Sequence, residues 1–252
     1  MTRCLTLITL LLLAVGPVCA QAPEGLQLFL LIGQSNMAGR GKVTPADQQS
    51  QPRIFMLDKA NVWVPAKDPV HFDKPRVAGV GLCSEFARRA AAEDAGAQIG
   101  LVPCAFGGTS MDQWKPGGDL YTNAVARMRA ALKRGHLKGI LWHQGEADCA
   151  PAKIASYPVR FAAMIAQLRR DLDAPDAPVL VGELGASYNA GYASFNAMLP
   201  KVTNAVPRCA LVSSEGLGAN SDNVHFSRDA LIEFGKRYYT AFTNLKKDGV
   251  QR

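Results

Sequence analysis

LFLLIGQSNMAGRG, residues 28–41, runs through five apolar residues and then turns to Gly, Gln, Ser and Asn. A short unbroken apolar run bounded by a turn suits a strand buried on both faces, where helices cover a parallel sheet from either side. This run begins at Leu26, and four others share its character, at residues 99–105, 139–143, 179–184 and 209–213. Between them lie stretches of helical period: GLCSEFARRAAAEDAG, YTNAVARMRAALKRG, PVRFAAMIAQLRRDL and YASFNAMLPKVTNA. A last helix is read in SRDALIEFGKRYYTAFTNL, with Ser227 at its cap and Asp229 in its first turn. Strand and helix in alternation predict a doubly wound α/β sandwich.

The chain opens MTRCLTLITLLLLAVGPVCAQA, with Arg3 ahead of an apolar run and small residues near Cys19 and Ala20 at its end. That is the pattern of a secretory signal peptide occupying residues 1–20. Its continuous apolar core, residues 10–15, is short for a membrane span, and Gly16-Pro17 breaks it. The protein is therefore expected to be exported to the periplasm or medium, with no stable membrane anchor after cleavage. Residues 21–252 are expected to form a single domain, a length that one α/β core can fill. A peripheral insertion is expected around residues 41–79, where RIFMLDKANVWVPA reads as a hairpin over the sheet's rim, turning at Asp58 to Asn61.

The formal charge of +7 is spread along the chain, which argues against a nucleic-acid partner. Four of the six cysteines, Cys83, Cys104, Cys149 and Cys209, lie beyond the leader. Export would permit disulfides among them, and sequence leaves three connectivities open. No Cys-x-x-Cys spacing suggests a zinc site.

In open parallel sheets the reactive crevice lies beyond the carboxyl ends of the strands. The first three strands end there in useful polar groups: Ser35 in GQSN, Gly107 and Gly108 in AFGGTS, and Gln144 in WHQGEAD. A hydroxyl, an exposed glycine N–H and a carboxamide are what acyl transfer needs, namely a nucleophile and donors for a developing oxyanion. Of the histidines, His71 lies in the insertion, His136 in a basic turn and His143 on a strand. His225, in SDNVHFSRD, follows Asp222 by three residues, so one turn can present an imidazole and the carboxylate that orients it.

GQSNMAGRG, PCAFGGTSMDQW, LWHQGEAD and DNVHF, in that order over residues 33–226, resemble the blocks of the SGNH/GDSL hydrolase superfamily. The resemblance is to its sialate O-acetylesterase-like branch, which includes acetylxylan esterases of carbohydrate esterase family 6. It implies Ser35 as nucleophile and first oxyanion donor, Gly107 or Gly108 as the second donor and Gln144 as the third, with Asp222 and His225 completing a triad. It further implies a flavodoxin-like three-layer αβα sandwich with a five-stranded parallel sheet of order 2-1-3-4-5. The implied activity is removal of O-acetyl groups from carbohydrates such as acetylated xylan or sialic acid, through an acyl-enzyme and without metal or organic cofactor. GQSNM lacks the second glycine of Gly-x-Ser-x-Gly, which separates the chain from the α/β-hydrolases.

Four residues stand as supporting candidates. Glu146 could serve as a second carboxylate for the base or anchor the GQSN turn, Asn36 and Arg40 could steady the loop after Ser35, and Trp114 could offer an aromatic face to a sugar. Three rival readings compete with a carbohydrate acetylesterase. They are an SGNH lipase or thioesterase acting on a longer acyl chain, a carbohydrate-binding protein without chemistry, and a metal site built from His143, Glu146, Asp148 and His225. The oligomeric state is not legible.

Overall fold

The computed structural model describes residues 23–186 and 188–250. The leader, residues 1–20, lies outside them. One sheet organises the chain, and its first strand, β1 (Leu26–Gly33), sits near the middle. Toward one edge it pairs with β4 (Ile99–Pro103), followed by β2 (Ile54–Leu57) and β3 (Trp63–Pro65). Toward the other come β5 (Gly135–His143), β6 (Val179–Gly182) and β7 (Cys209–Val212). The order is β3-β2-β4-β1-β5-β6-β7, parallel throughout except for the antiparallel β2–β3 pair.

This corrects the expectation of five strands, all parallel: the sheet has seven and is mixed. It also corrects the place of the hairpin. The turn does fall where Asp58 accepts the Ala60 and Val62 N–H groups, but β2 extends the sheet instead of lying over its rim. The reason is a continuous ladder, Ile54 aligned with Ile99 and Met56 with Leu101, which buries Ile54 and Leu57.

The apolar run of β1 is explained by its two coverings. Leu26, Leu28, Leu30 and Ile32 face one cluster, packed with Met128 of α3 (Asp119–Leu132), Phe161 of α4 (Pro151–Asp171) and Phe195 of α5 (Ala190–Ala205). Phe29 and Leu31 face the other, with Phe86 of α2 (Leu82–Glu93) and Phe234 and Tyr238 of α6 (Arg228–Val250). β5 repeats the split, Ile140 and Trp142 to one side and Leu141 to the other. A strand side chain alternates faces, so a strand covered twice has no polar position to spare. Polarity returns only at the strand ends. There Gly33 adopts φ +129 with no room for a side chain, because a Cβ would stand 2.1 Å from the His143 carbonyl oxygen. The chain then enters the one-turn helix α1 (Ser35–Ala38).

No helix among the described residues is long and apolar enough to cross a membrane. The four described cysteines are unpaired, with Cys83 and Cys104 buried.

Candidate active site

Three carboxyl-terminal strand ends and the loop before α6 converge on one cleft of about 400 Å³, lined by Ser35, His225, Gln34, Gly107, Gly108 and Glu146 among others. Backbone pairing continues past the strands and fixes their ends together. The Gln34 N–H donates to the His143 carbonyl at 2.9 Å, and the Phe106 N–H to that of Gly33 at 3.0 Å.

Ser35 and His225, 190 residues apart, meet with the serine Oγ 2.9 Å from Nε2 of the imidazole. On the other side of the ring, Nδ1 lies 2.7 Å from Oδ2 of Asp222. Burial acts to raise the Asp222 pKa, but three donors outweigh it: the His225 and Val224 N–H groups, each 2.9 Å from Oδ1, and the imidazole itself. The carboxyl is held down to about 2. An ionised acid fixes the proton of a neutral imidazole on Nδ1, leaving Nε2 to accept the hydroxyl proton of Ser35.

Asn36 ties the two halves together. Its Nδ2 donates to the Val224 carbonyl at 3.2 Å and its Oδ1 accepts the Phe226 N–H at 3.0 Å, so it grips the backbone on both sides of His225. Nδ2 also donates to Oε1 of Glu146 at 2.7 Å. Glu146 therefore steadies the residue beside Ser35, while Asp222 is the acid that contacts the base. Oε1 of Glu146 lies 3.9 Å from Nδ1 of His143, whose Nε2 donates to the Glu183 carbonyl at 3.0 Å. Burial lowers the His143 pKa, as it does for an imidazole surrounded by Phe226 and Phe234. His143 is a core residue, and Asp148 turns away to the Met111 N–H and Gln144, so these residues do not gather with His225 around a common point.

Two expected residues stand elsewhere. Gln144 is buried, and its amide nitrogen donates to the Thr109 carbonyl at 3.0 Å and to Asp148 at 2.6 Å, while its oxygen accepts the Tyr157 hydroxyl at 2.8 Å. Those bonds occupy the group that would have donated to an oxyanion. Trp114 is 1 % exposed, its Nε1–H bonded to Thr109 Oγ1 and its ring edge-on to Trp142, so it offers no face to a ligand.

The glycine turn is sorted by Asp73, which sequence reading passed over. The Gly107 N–H donates to Oδ2 of Asp73 at 2.9 Å, and Arg40 Nη2 reaches the same carboxylate at 2.7 Å. Burial opposes the charge on Asp73, yet Arg40 and Gly107 hold its pKa below the usual range. Among the described residues the N–H groups of Gly108 and Ser35 have no acceptor. Gly108 adopts φ +80, a conformation natural to glycine. The second omission is Gln34, which lines the cleft beside Ser35, is 3 % exposed and has no partner for its Oε1. Its adjacency to the serine in GQSN was the available signal.

A family model described as carbohydrate esterase, sialic acid-specific acetylesterase, matches residues 25–244. A probable carbohydrate esterase of Arabidopsis thaliana is 34 % identical over 234 residues, covering 83 % of this chain and 87 % of the plant protein. The X-ray structure of that plant protein is similar with a TM-score of 0.80 at 30 % identity, covering 88 % of this chain and 99 % of its own. The crystal structure of NanS shares the fold, with a TM-score of 0.73 at 21 % identity over 90 % of this chain and 99 % of its own.

Proposed function

The chain belongs to the sialic acid-specific acetylesterase family of carbohydrate esterases, and we propose that it is a serine esterase removing O-acetyl groups from sugars, exported by the leader read at residues 1–20. Hydrolysis of carbohydrate esters follows from the family. The serine mechanism is supported by one observation above the rest, the unbroken chain from Ser35 Oγ through His225 to Asp222 at 2.9 and 2.7 Å.

In this reading Ser35 Oγ attacks the acetyl carbonyl carbon as its proton passes to Nε2 of His225. The carbonyl oxygen takes the negative charge and is met by the free N–H groups of Ser35 and Gly108, with the Gln34 carboxamide as the third donor in place of Gln144. Such a donor contributes roughly 3–4 kcal/mol to the transition state when removed singly. The tetrahedral centre collapses, the sugar oxygen leaves with the proton from the imidazolium, and acetyl-Ser35 remains. Water then attacks this ester with His225 again as base, and acetate departs.

Acetate release measured on acetylated xylan, O-acetylated sialic acid and acetylated simple sugars identifies the substrate. The Ser35→Ala protein, folded as judged by circular dichroism, is expected to release no acetate from any of them. Turnover of p-nitrophenyl acetate by that variant at the parental rate would overturn the nucleophile. A series of p-nitrophenyl esters of growing acyl length is expected to show a maximum at acetate.

A further inference from the structure

Phe106 immediately precedes the Gly107-Gly108 turn that follows strand β4, and it is 41 % exposed. An exposed aromatic ring at this place is not needed by the core, since its backbone alone continues the ladder to Gly33. It stands on a boundary between two hollows. On one side is the cleft of Ser35, whose wall includes Lys74, with Nζ 5.9 Å from the centre of the Phe106 ring. On the other is a trough of about 510 Å³ with Phe106 as its apolar wall and Gln113, Lys115 and Asp119 as its exposed polar ones.

We propose that this trough is a second sugar subsite, taking the ring adjacent to the one deacetylated, so that the natural substrate is a glycan chain and not a free monosaccharide. The inference rests on the esterase reading of the neighbouring cleft. A pyranose ring has an apolar C–H face and a rim of hydroxyls, and the trough matches both. Phe106 offers the apolar contact, while Gln113, Lys115 and Asp119 offer donors and acceptors at its edge. The two hollows share the Phe106–Gly108 segment, so a ring bound to Phe106 lies next in line to one whose acetyl group reaches Ser35. The function that Trp114 is too buried to perform falls to an aromatic residue eight positions earlier.

The test compares Phe106→Ala and Phe106→Trp with the parent on acetylated xylose, acetylated xylotetraose and p-nitrophenyl acetate. Phe106→Ala is expected to lower kcat/KM on the tetramer about tenfold, through KM, and to leave p-nitrophenyl acetate unchanged, with Phe106→Trp restoring the tetramer rate. Equal kcat/KM for tetramer and single sugar in the parent, or an equal loss on p-nitrophenyl acetate, overturns the subsite. Calorimetric binding of unacetylated xylotetraose needs no chemistry and separates this idea from the esterase reading. Weaker binding by Phe106→Ala supports the subsite even in a protein that hydrolyses nothing, and binding unaffected by that substitution overturns it.

Discussion

Gln34 and Gln144 carry the same side chain and meet opposite fates. Gln144 is satisfied on all sides by Thr109, Asp148 and Tyr157, whereas Gln34 keeps a buried Oε1 without a partner at the cleft wall. That oxygen is an acceptor and cannot serve an oxyanion; the donor is the Gln34 amide nitrogen, which makes no hydrogen bond among the described residues of the cleft wall. Gln34→Ala is therefore expected to lower kcat about 10²–10³-fold with little change in melting temperature. Gln144→Leu is expected to do the reverse, since it takes one donor from the buried Asp148 carboxylate, which keeps the Met111 N–H, and the shorter of two acceptors from the Tyr157 hydroxyl: a loss of about 1–3 kcal/mol in denaturant unfolding, with residual activity in the folded fraction. The two acids separate in the same way. Asp222→Asn removes the acceptor that orients His225 and is expected to lower kcat about 10²–10⁴-fold. Glu146→Gln keeps an oxygen for Asn36 and is expected to lower it less than about tenfold. Steady-state rates on one acetyl ester decide between them, and a larger loss at Glu146 would reassign the acid.

Among the elements, the site is assembled where β1, β4 and β5 end and the loop before α6 folds over them. The strand ends are locked by backbone bonds, but the turns beyond them need side chains. Asp73 is the tie for the glycine turn, taking the Gly107 N–H and Arg40 together. Both members of this ion pair are nearly sealed, with side chains 7 % and 1 % exposed for Arg40 and Asp73. Removing one member of a buried pair leaves the other uncompensated, so Asp73→Ala is expected to cost about 3–5 kcal/mol in urea unfolding. It also frees the Gly107 turn, so activity is expected to fall further than the folded fraction does. An Asp73→Ala protein as stable as the parent would show that Arg40 finds water or another acceptor.

At the scale of the whole molecule, charge is buried away from the cleft as well. Asp68 lies between the loop after β3 and the start of α2, accepting the Ser84 hydroxyl at 2.8 Å and, more weakly, the Gly81 N–H. Burial pushes its pKa up to about 6, against an ordinary value of 3.8. The native state thus holds a proton that the unfolded chain releases, so this group's contribution is fully present below about pH 4 and is lost as pH rises through about 6. Asp68→Asn keeps an oxygen for Ser84 and carries no charge, so at pH 7 it is expected to stabilise the protein by about 1–3 kcal/mol, with no gain at pH 4. Urea midpoints at the two pH values check the sign. The sequence by itself determined the five strands β1, β4, β5, β6 and β7, because each is a short apolar run bounded by turns, even β7, which closes the edge of the sheet half-buried. It also determined the Asp222–His225 pair, because three residues of one turn keep them together. Only the tertiary structure decided which glutamine faces the cleft, which glycine N–H is free, that β2 and β3 extend the sheet, and that Phe106 is bared while Trp114 is covered. Those outcomes depend on partners such as Thr109, Asp73, Ile99 and Trp142, each more than twenty-five residues distant, and sequence-local patterns carry no information about who fills a side chain's last hydrogen bond or covers its face.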